Sequence, residues 1–303
     1  MSFPKISVIT PSYNQGTFIE QTILSVIGQQ YPNLEYIIVD GGSIDNTLDV
    51  IKKYEGHINY WISEPDKGQS HAINKGFALA TGDILCWLNS DDYYLPGTLI
   101  DISSKISVDR TDLLYGNCIH LNEKDNQTYS SPFDPLKDWD ITHGDYIVQP
   151  SSFWTKQAFE RVGPLREDLH FGFDWEWYAR AHAKGVNFIP SAKYYSVYRI
   201  HGNQKSNDNN VARFIELINI ERALNPDKFA WLDNYLKKHI GSIRLLYNVT
   251  GNSLLKQFEY KLLKTAHPKL LQLIDRISLK KYILHCFTKD IKNGPARSES
   301  IQE

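Results

Sequence analysis

Four consecutive residues, Asn89-Ser90-Asp91-Asp92, follow the apolar run Ile84-Leu85-Cys86-Trp87-Leu88. Neighbouring carboxylates at the end of a buried strand repel each other and need a cation or strong hydrogen bonds. A hard divalent ion, Mg²⁺ or Mn²⁺, suits them, above all one shared with a phosphate. The same residues also read as a turn whose Asp caps a helix starting near Pro96. Asp40 likewise ends the run Tyr36-Ile37-Ile38-Val39, and Gly41-Gly42 after it lets a ligand approach the backbone closely. As a plain turn residue between strand and helix it reads equally well. The spacing is not GxGxxG, so the dinucleotide fingerprint is absent. A third acid, Asp174, opens a helical pattern inside Phe171-Gly172-Phe173-Asp174-Trp175-Glu176-Trp177-Tyr178. That is either a cap with aromatic core packing or an acid beside ring faces on which a sugar can stack. Tyr198-Arg199-Ile200-His201, with Lys205-Ser206 beyond it, offers cations for a phosphate or forms a solvated loop.

These residues have to be held by a scaffold, and the first ~120 residues describe one. Continuous apolar runs at 6–10, 36–39, 59–62 and 84–88 alternate with helix-period segments at 18–27, 45–54 and 70–80. Strands without polar alternation, separated by helices, predict an α/β fold with a mostly parallel sheet covered on both faces. In such sheets ligands bind beyond the carboxyl ends of the strands. The polar clusters fall there, after Thr10, Val39 and Leu88. Residues 122–145 are loop-rich. A helix is predicted from Asp174 to Lys184, with Gly185 closing it, and short strands at 187–189 and 194–199. Beyond Pro226 the pattern is almost purely helical.

The stretch ISVITPSYNQGTFIEQTILSVIGQQYPNLEYIIVDGGSIDNT, then Glu64-Pro65-Asp66-Lys67-Gly68, Ala72-Ile73-Asn74-Lys75-Gly76 and ATGDILCWLNSDDYYLPGTL, resembles family 2 glycosyltransferases of the GT-A fold, of the type that builds bacterial cell-surface polysaccharide. The resemblance spans roughly residues 4–200. It implies a nucleotide-sugar half at 1–120, an acceptor half at 121–225 and a helical extension at 226–303. By this resemblance Thr10, Pro11, Tyr13 and Asp40 line the nucleoside pocket, and Asp66, Lys67 and Asp91 add nucleotide contacts. Asp92 would hold the divalent metal, although the motif's first position is the amide Asn89 where the family is commonly acidic. Asp174 would be the general base, kept ionised by the helix dipole and so a poor base in isolation. Trp175, Glu176 and Gln149 would face the acceptor, and Arg199 and His201 the diphosphate. The implied reaction is inverting transfer from a nucleotide diphosphate sugar, UDP by expectation, to a glycan or lipid-linked hydroxyl. Two rivals are weighed. A sugar nucleotidyltransferase should carry a Gly-rich phosphate loop with a basic residue, which TPSYNQG lacks. A non-catalytic binding module has no use for a base.

The net charge of −2 conceals a division. Residues 1–225 carry 19 basic and 28 acidic side chains, whereas 226–303 carry 14 and 7. In the tail, Leu254, Leu255, Phe258, Leu262 and Leu263 form an apolar stripe flanked by Lys256, Lys261 and Lys264. Such helices either pack on the body or a second subunit, or lie on an anionic membrane surface. With an acidic body and no recognised binding motif, nucleic acid is not expected as a partner. Three scattered cysteines and no long apolar run predict a cytoplasmic chain, at the inner membrane face if the tail binds lipid.

Overall fold

A computed structural model describes residues 3–130, 140–202, 204–205 and 211–248. The chain forms two compact units, Met1–Asn210 and Val211–Glu303.

In the first unit, β1 (Ile6–Ser12), α1 (Ile19–Ile27), β2 (Leu34–Asp40), α2 (Thr47–Lys53), β3 (Tyr60–Ser63), α3 (Gln69–Leu79) and β4 (Ile84–Trp87) alternate as the apolar runs predict. β1 is buried along its whole length because helices cover both faces of the sheet. Then come β5 (Tyr93–Tyr94), α4 (Thr98–Lys105), β6 (Asp112–Asn122), β7 (Gln127–Ser130), β8 (Ser152–Thr155), α5 (Lys156–Val162), α6 (Phe173–Ala183) and β9 (Asn187–Ile200). Among the described residues the strands form one sheet in the order β3-β2-β1-β4-β8-β6-β9-β5, with β7 on β6. β1 to β4 are mutually parallel, while β8 pairs antiparallel with both β4 and β6. The two strands predicted at 187–199 are one long strand, β9, whose register against β6 shifts between Tyr115 and Cys118.

The chain runs outward from β1 through β2 to β3, then crosses back to place β4 on β1's other side. That reversal opens a crevice at the carboxyl ends of β1 and β4, the place where open α/β sheets bind ligands. Under it lies one apolar core that includes Val8, Ile23, Ile38, Cys86, Leu99, Leu114 and Phe153. At the opposite end of the strands, the Glu35 carboxylate accepts from Lys5 Nζ (2.6 Å), Ser7 Oγ (2.5 Å) and the backbone N–H and hydroxyl of Thr81 (both 2.7 Å). It thereby pins β1, β2 and the segment leading into β4.

The second unit begins with α7 (Val211–Leu224) and α8 (Pro226–Asn248). The ion pairs Arg222–Asp233 and Lys228–Glu221 join the two helices. The apolar stripe from Leu254 onward lies outside the described residues. No described helix is long and apolar enough to cross a membrane.

Candidate active site

Asp40 is fully buried at the end of β2. Its Oδ2 accepts from the N–H groups of Gly42 (3.1 Å) and Ser43 (2.8 Å) and from Ser63 Oγ (2.6 Å), and its Oδ1 from Ser43 Oγ (2.5 Å). The carboxylate thus shapes the loop after β2, and Gly42 turns there at φ 84°, a left-handed value that favours glycine. Gly41 has a different role. A Cβ on it would lie 2.6 Å from Asp66 Oδ2 and 3.4 Å from the Tyr13 ring, so these two side chains converge over bare backbone. Tyr13 is 61% exposed, whereas Thr10 and Pro11 are buried and Thr10 Oγ1 pairs with Tyr36 OH. Of these residues, Tyr13, Gly41 and Asp66 therefore present surface at the crevice. Lys67 is exposed beside them, its backbone N–H bonded to His71 Nδ1 (3.3 Å). Ser12, at the end of β1, has a buried hydroxyl with no partner.

The turn Asn89–Asp92 follows β4 in the same crevice. Asp92 is buried; burial and the charge of Asp91 push its carboxyl well above the usual range, with Arg199 and Asn89 opposing them. Its Oδ1 accepts from the Arg199 backbone N–H (3.0 Å). Thr22 Oγ1, from α1, lies 2.9 Å from the Ser90 carbonyl and 2.7 Å from the Asp92 carbonyl. Asn89 is a hub. Gln69 Nε2 donates to its Oδ1 (2.8 Å), and its own amide donates to Gln149 Oε1 (3.3 Å) and Asp92 Oδ2 (3.4 Å).

The two cations expected at the diphosphate occupy different settings. Arg199 is 3% exposed. Its guanidinium donates to the Asp91 carbonyl, to Gln21 Oε1 (2.9 Å) and to the Phe18 carbonyl (3.1 Å), and stacks over Phe18 and Tyr93. Buried there, it clamps α1 to the acidic turn. His201 Nε2 lies 3.2 Å from Asp91 Oδ2, its ring packs on Phe18, and its buried Nδ1 has no partner. The exposed cation is Lys205, which reaches Gln69 Oε1 (3.4 Å) and sits over the rings of Phe171 and Phe173.

Asp174 stands in the first turn of α6, its Oδ1 accepting from the Trp175 N–H (2.8 Å). Trp175, expected to show its face to an acceptor, is 5% exposed and donates its indole N–H to the Ile141 carbonyl (2.6 Å). Glu176, expected at the acceptor too, forms a two-pronged pair with Arg180, which also ties the end of α5 to α6. Gln149 is buried and donates to the Trp87 carbonyl (2.9 Å), so it supports the acidic turn. One line of contacts joins the Asp174 helix to that turn. Tyr178 OH, whose pKa is raised by burial and then by the charge of Asp174, pairs with Ser152 Oγ (2.7 Å). Ser152 donates to the Gln149 carbonyl (2.7 Å), and the Gln149 side chain meets Asn89. Sequence reasoning gave no role to Thr22, Gln69 or Ser12 and did not foresee Lys205's place over the rings of Phe171 and Phe173, although Ser12, Thr22 and Lys205 stood in stretches it had marked.

Asp91 Oδ2 and His201 Nε2, which face each other at 3.2 Å, are oxygen and nitrogen donors of a kind that a divalent cation takes. Among the described residues no three His, Cys, Asp or Glu side chains converge into a ready cage. Oxygens of a bound diphosphate would have to complete the coordination, as is usual for Mg²⁺.

The sheet and its flanking helices recur in solved structures. A Staphylococcus aureus TarS fragment in complex with UDP superposes with a TM-score of 0.60 at 17% identity, over 95% of this chain and 88% of that one. A Pyrobaculum calidifontis mannosyltransferase in complex with GDP-Man and Mn²⁺ also gives 0.60, at 15% identity, over 95% and 89%. The fold is thus GT-A, as expected. In sequence, a Campylobacter jejuni GalNAc(5)-diNAcBac-PP-undecaprenol beta-1,3-glucosyltransferase is 28% identical over 206 residues, 65% of each chain. Against several other curated relatives the chain spans little more than a third of their length, 35% to 37%. The glycosyl transferase family 2 model matches residues 7–163, which include Tyr13, Gly41 and Asp66, the acidic turn and the Gln149 support. The chain belongs to glycosyltransferase family 2.

Proposed function

We propose that the chain is an inverting glycosyltransferase that moves a sugar from a UDP-sugar to a hydroxyl of a glycan or lipid-linked acceptor during cell-surface polysaccharide assembly. The observation that carries this reading is the line of contacts from Tyr178, which feels the Asp174 charge, through Ser152 and Gln149 to Asn89. It couples a candidate base to a candidate diphosphate site on one rigid frame. The lipid-linked substrate in the name of the Campylobacter relative and the UDP held by the TarS fragment support the choice of acceptor and nucleotide.

Tyr13 offers an exposed ring for the base, and Asp66 carries a carboxylate oxygen over Gly41 that can accept its N–H. Asp91 and Asp92 would hold a divalent cation, with His201 Nε2, which faces Asp91, as a further donor. A cation bound there supplies neutralisation of the charge that grows on the departing diphosphate. Lys205 brings an exposed positive charge to the same mouth. Asp174 takes the proton of the acceptor hydroxyl as its oxygen attacks the anomeric carbon from the side opposite the diphosphate. One C–O bond forms, the bond to the diphosphate breaks, and the configuration inverts. The helix dipole favours ionised Asp174, so proton transfer comes late in the attack.

Asp174→Asn tests the base. The variant should lose acceptor transfer by at least about a hundredfold while UDP affinity in calorimetry stays within about twofold of wild type. Undiminished transfer would remove Asp174 from this role.

A further inference from the structure

We propose that Tyr129, His120 and Tyr198 form a carbohydrate-binding ledge that seats the acceptor glycan beyond the bond being made; the assignment to an acceptor rests on the transferase reading above. His120 on β6 pairs directly with Tyr129 on β7 and with Tyr198 on β9. Cross-strand partners point to one face of a sheet, so the three rings form a single row. His120 and Tyr129 lie parallel, centroids 4.9 Å apart and planes at 6°, while Tyr198 meets His120 edge-on at 5.5 Å. At the usual strand spacing the row is about 10 Å long.

Both ends of the row have meaning for the site. At the inner end, Tyr198 precedes Arg199, whose N–H binds Asp92 Oδ1. One pair back on the same face, Ser196 bonds Ser151 of the Gln149–Ser151 turn, the segment that supports Asn89. At the outer end, Tyr129 is 53% exposed on a strand whose four residues are all exposed. The row is thus tied through buried contacts to the segments that hold Asn89 and Asp92, and it opens to solvent at Tyr129. Its rings are flanked by the uncharged amides of Asn122 and Gln127, the next cross-strand pair on the same face. His120 and Tyr129 cover each other's facing surfaces, so exposed Tyr129 carries the ring surface that a ligand can reach. Such a surface beside neutral amides matches a sugar chain, whose C–H faces stack and whose hydroxyls bond to amides. An anionic lipid surface would call for cations, and the row has none.

The full-length chain, applied to a printed array of bacterial surface oligosaccharides of graded length, tests this. Tyr129 is exposed at a sheet edge, so its replacement should leave the fold intact, which a melting curve checks. Wild type should retain longer saccharides, Tyr129→Ala should bind them about tenfold more weakly, and Tyr129→Trp should restore binding because the ring does the work. UDP affinity and slow hydrolysis of the UDP-sugar should be the same in all three. The ledge is overturned if wild type binds no saccharide on the array, or if Tyr129→Ala binds as wild type does. It is equally overturned if Tyr129→Ala instead loses binding to phosphatidylglycerol vesicles. Absence of UDP binding in wild type would sink the transferase reading itself, whereas UDP binding with no glycan binding sinks the ledge alone.

Discussion

Removing the Arg199 guanidinium should disturb both stability and the donor site, and the size of the effect can be worked out from its contacts. The side chain is 3% exposed and satisfies the carbonyls of Phe18 and Asp91 as well as Gln21 Oε1. It is also the positive charge that opposes burial and Asp91 at the Asp92 carboxyl. Arg199→Met keeps most of the volume but leaves two buried carbonyls without this donor and two carboxylates without their cation. Breaking a buried charge cluster in this way costs about 3–5 kcal/mol. For a domain of this size each kcal/mol moves the melting temperature by about 2–4 °C, so a fall of roughly 6–20 °C is expected in a circular dichroism melt. Arg199→Lys keeps the charge without the planar fork and should fall between. UDP should bind more weakly to Arg199→Met, because only Thr22 is then left to anchor the acidic turn to α1. A melting temperature within about 2 °C of wild type, together with unchanged UDP affinity, would refute the clamp.

Other perturbations separate support from chemistry. Burial raises the Glu35 pKa, but hydrogen bonds from Lys5, Ser7 and Thr81 more than offset it and bring it down to about 2. A depressed carboxyl stabilises the fold above its unfolded value and ceases to as pH falls through about 2. Glu35→Gln should therefore cost roughly 2–3 kcal/mol at pH 7 and flatten the acid limb of a denaturation profile, with UDP affinity unchanged. Gly41→Ala puts a methyl 2.6 Å from Asp66 Oδ2 and should weaken UDP binding about tenfold in calorimetry while barely moving the melting temperature. Trp175→Phe removes the bond to the Ile141 carbonyl and should cost about 1–2 kcal/mol in urea denaturation, whatever the acceptor.

What could be read from the residues followed the kind of signal each element carries. β1, β2 and β4 are buried on both faces, so they appear as unbroken apolar runs whose ends mark the crevice. β9 appeared as two strands because Pro190 and exposed Lys193 interrupt its apolar pattern where its register shifts. The mixed half of the sheet, where β6 and β9 pair parallel and β8 antiparallel, left no trace of direction, since β8 has only four residues and alternation says nothing about which neighbour a strand will take. Within the site, Asp91 and Asp92 declared themselves by adjacency. Thr22 and Gln69 support the same turn from about 70 and 20 positions away, and only folding reveals such partners. Arg199 looked like a solvent-facing cation, yet its place in the long strand β9 turns it inward under α1. Trp175 and Glu176 stood in an aromatic segment that suggested sugar stacking, and helical periodicity carried both into packing contacts.

The most direct test of the central claim is release of UDP from a panel of UDP-sugars in the presence of Mn²⁺, measured for wild type and Asp92→Asn and repeated in EDTA. Turnover of at least one donor by wild type, lowered at least about a hundredfold by Asp92→Asn and abolished by EDTA, is the predicted result. Equal turnover by Asp92→Asn, or turnover untouched by EDTA, would contradict a transferase that works through its acidic turn.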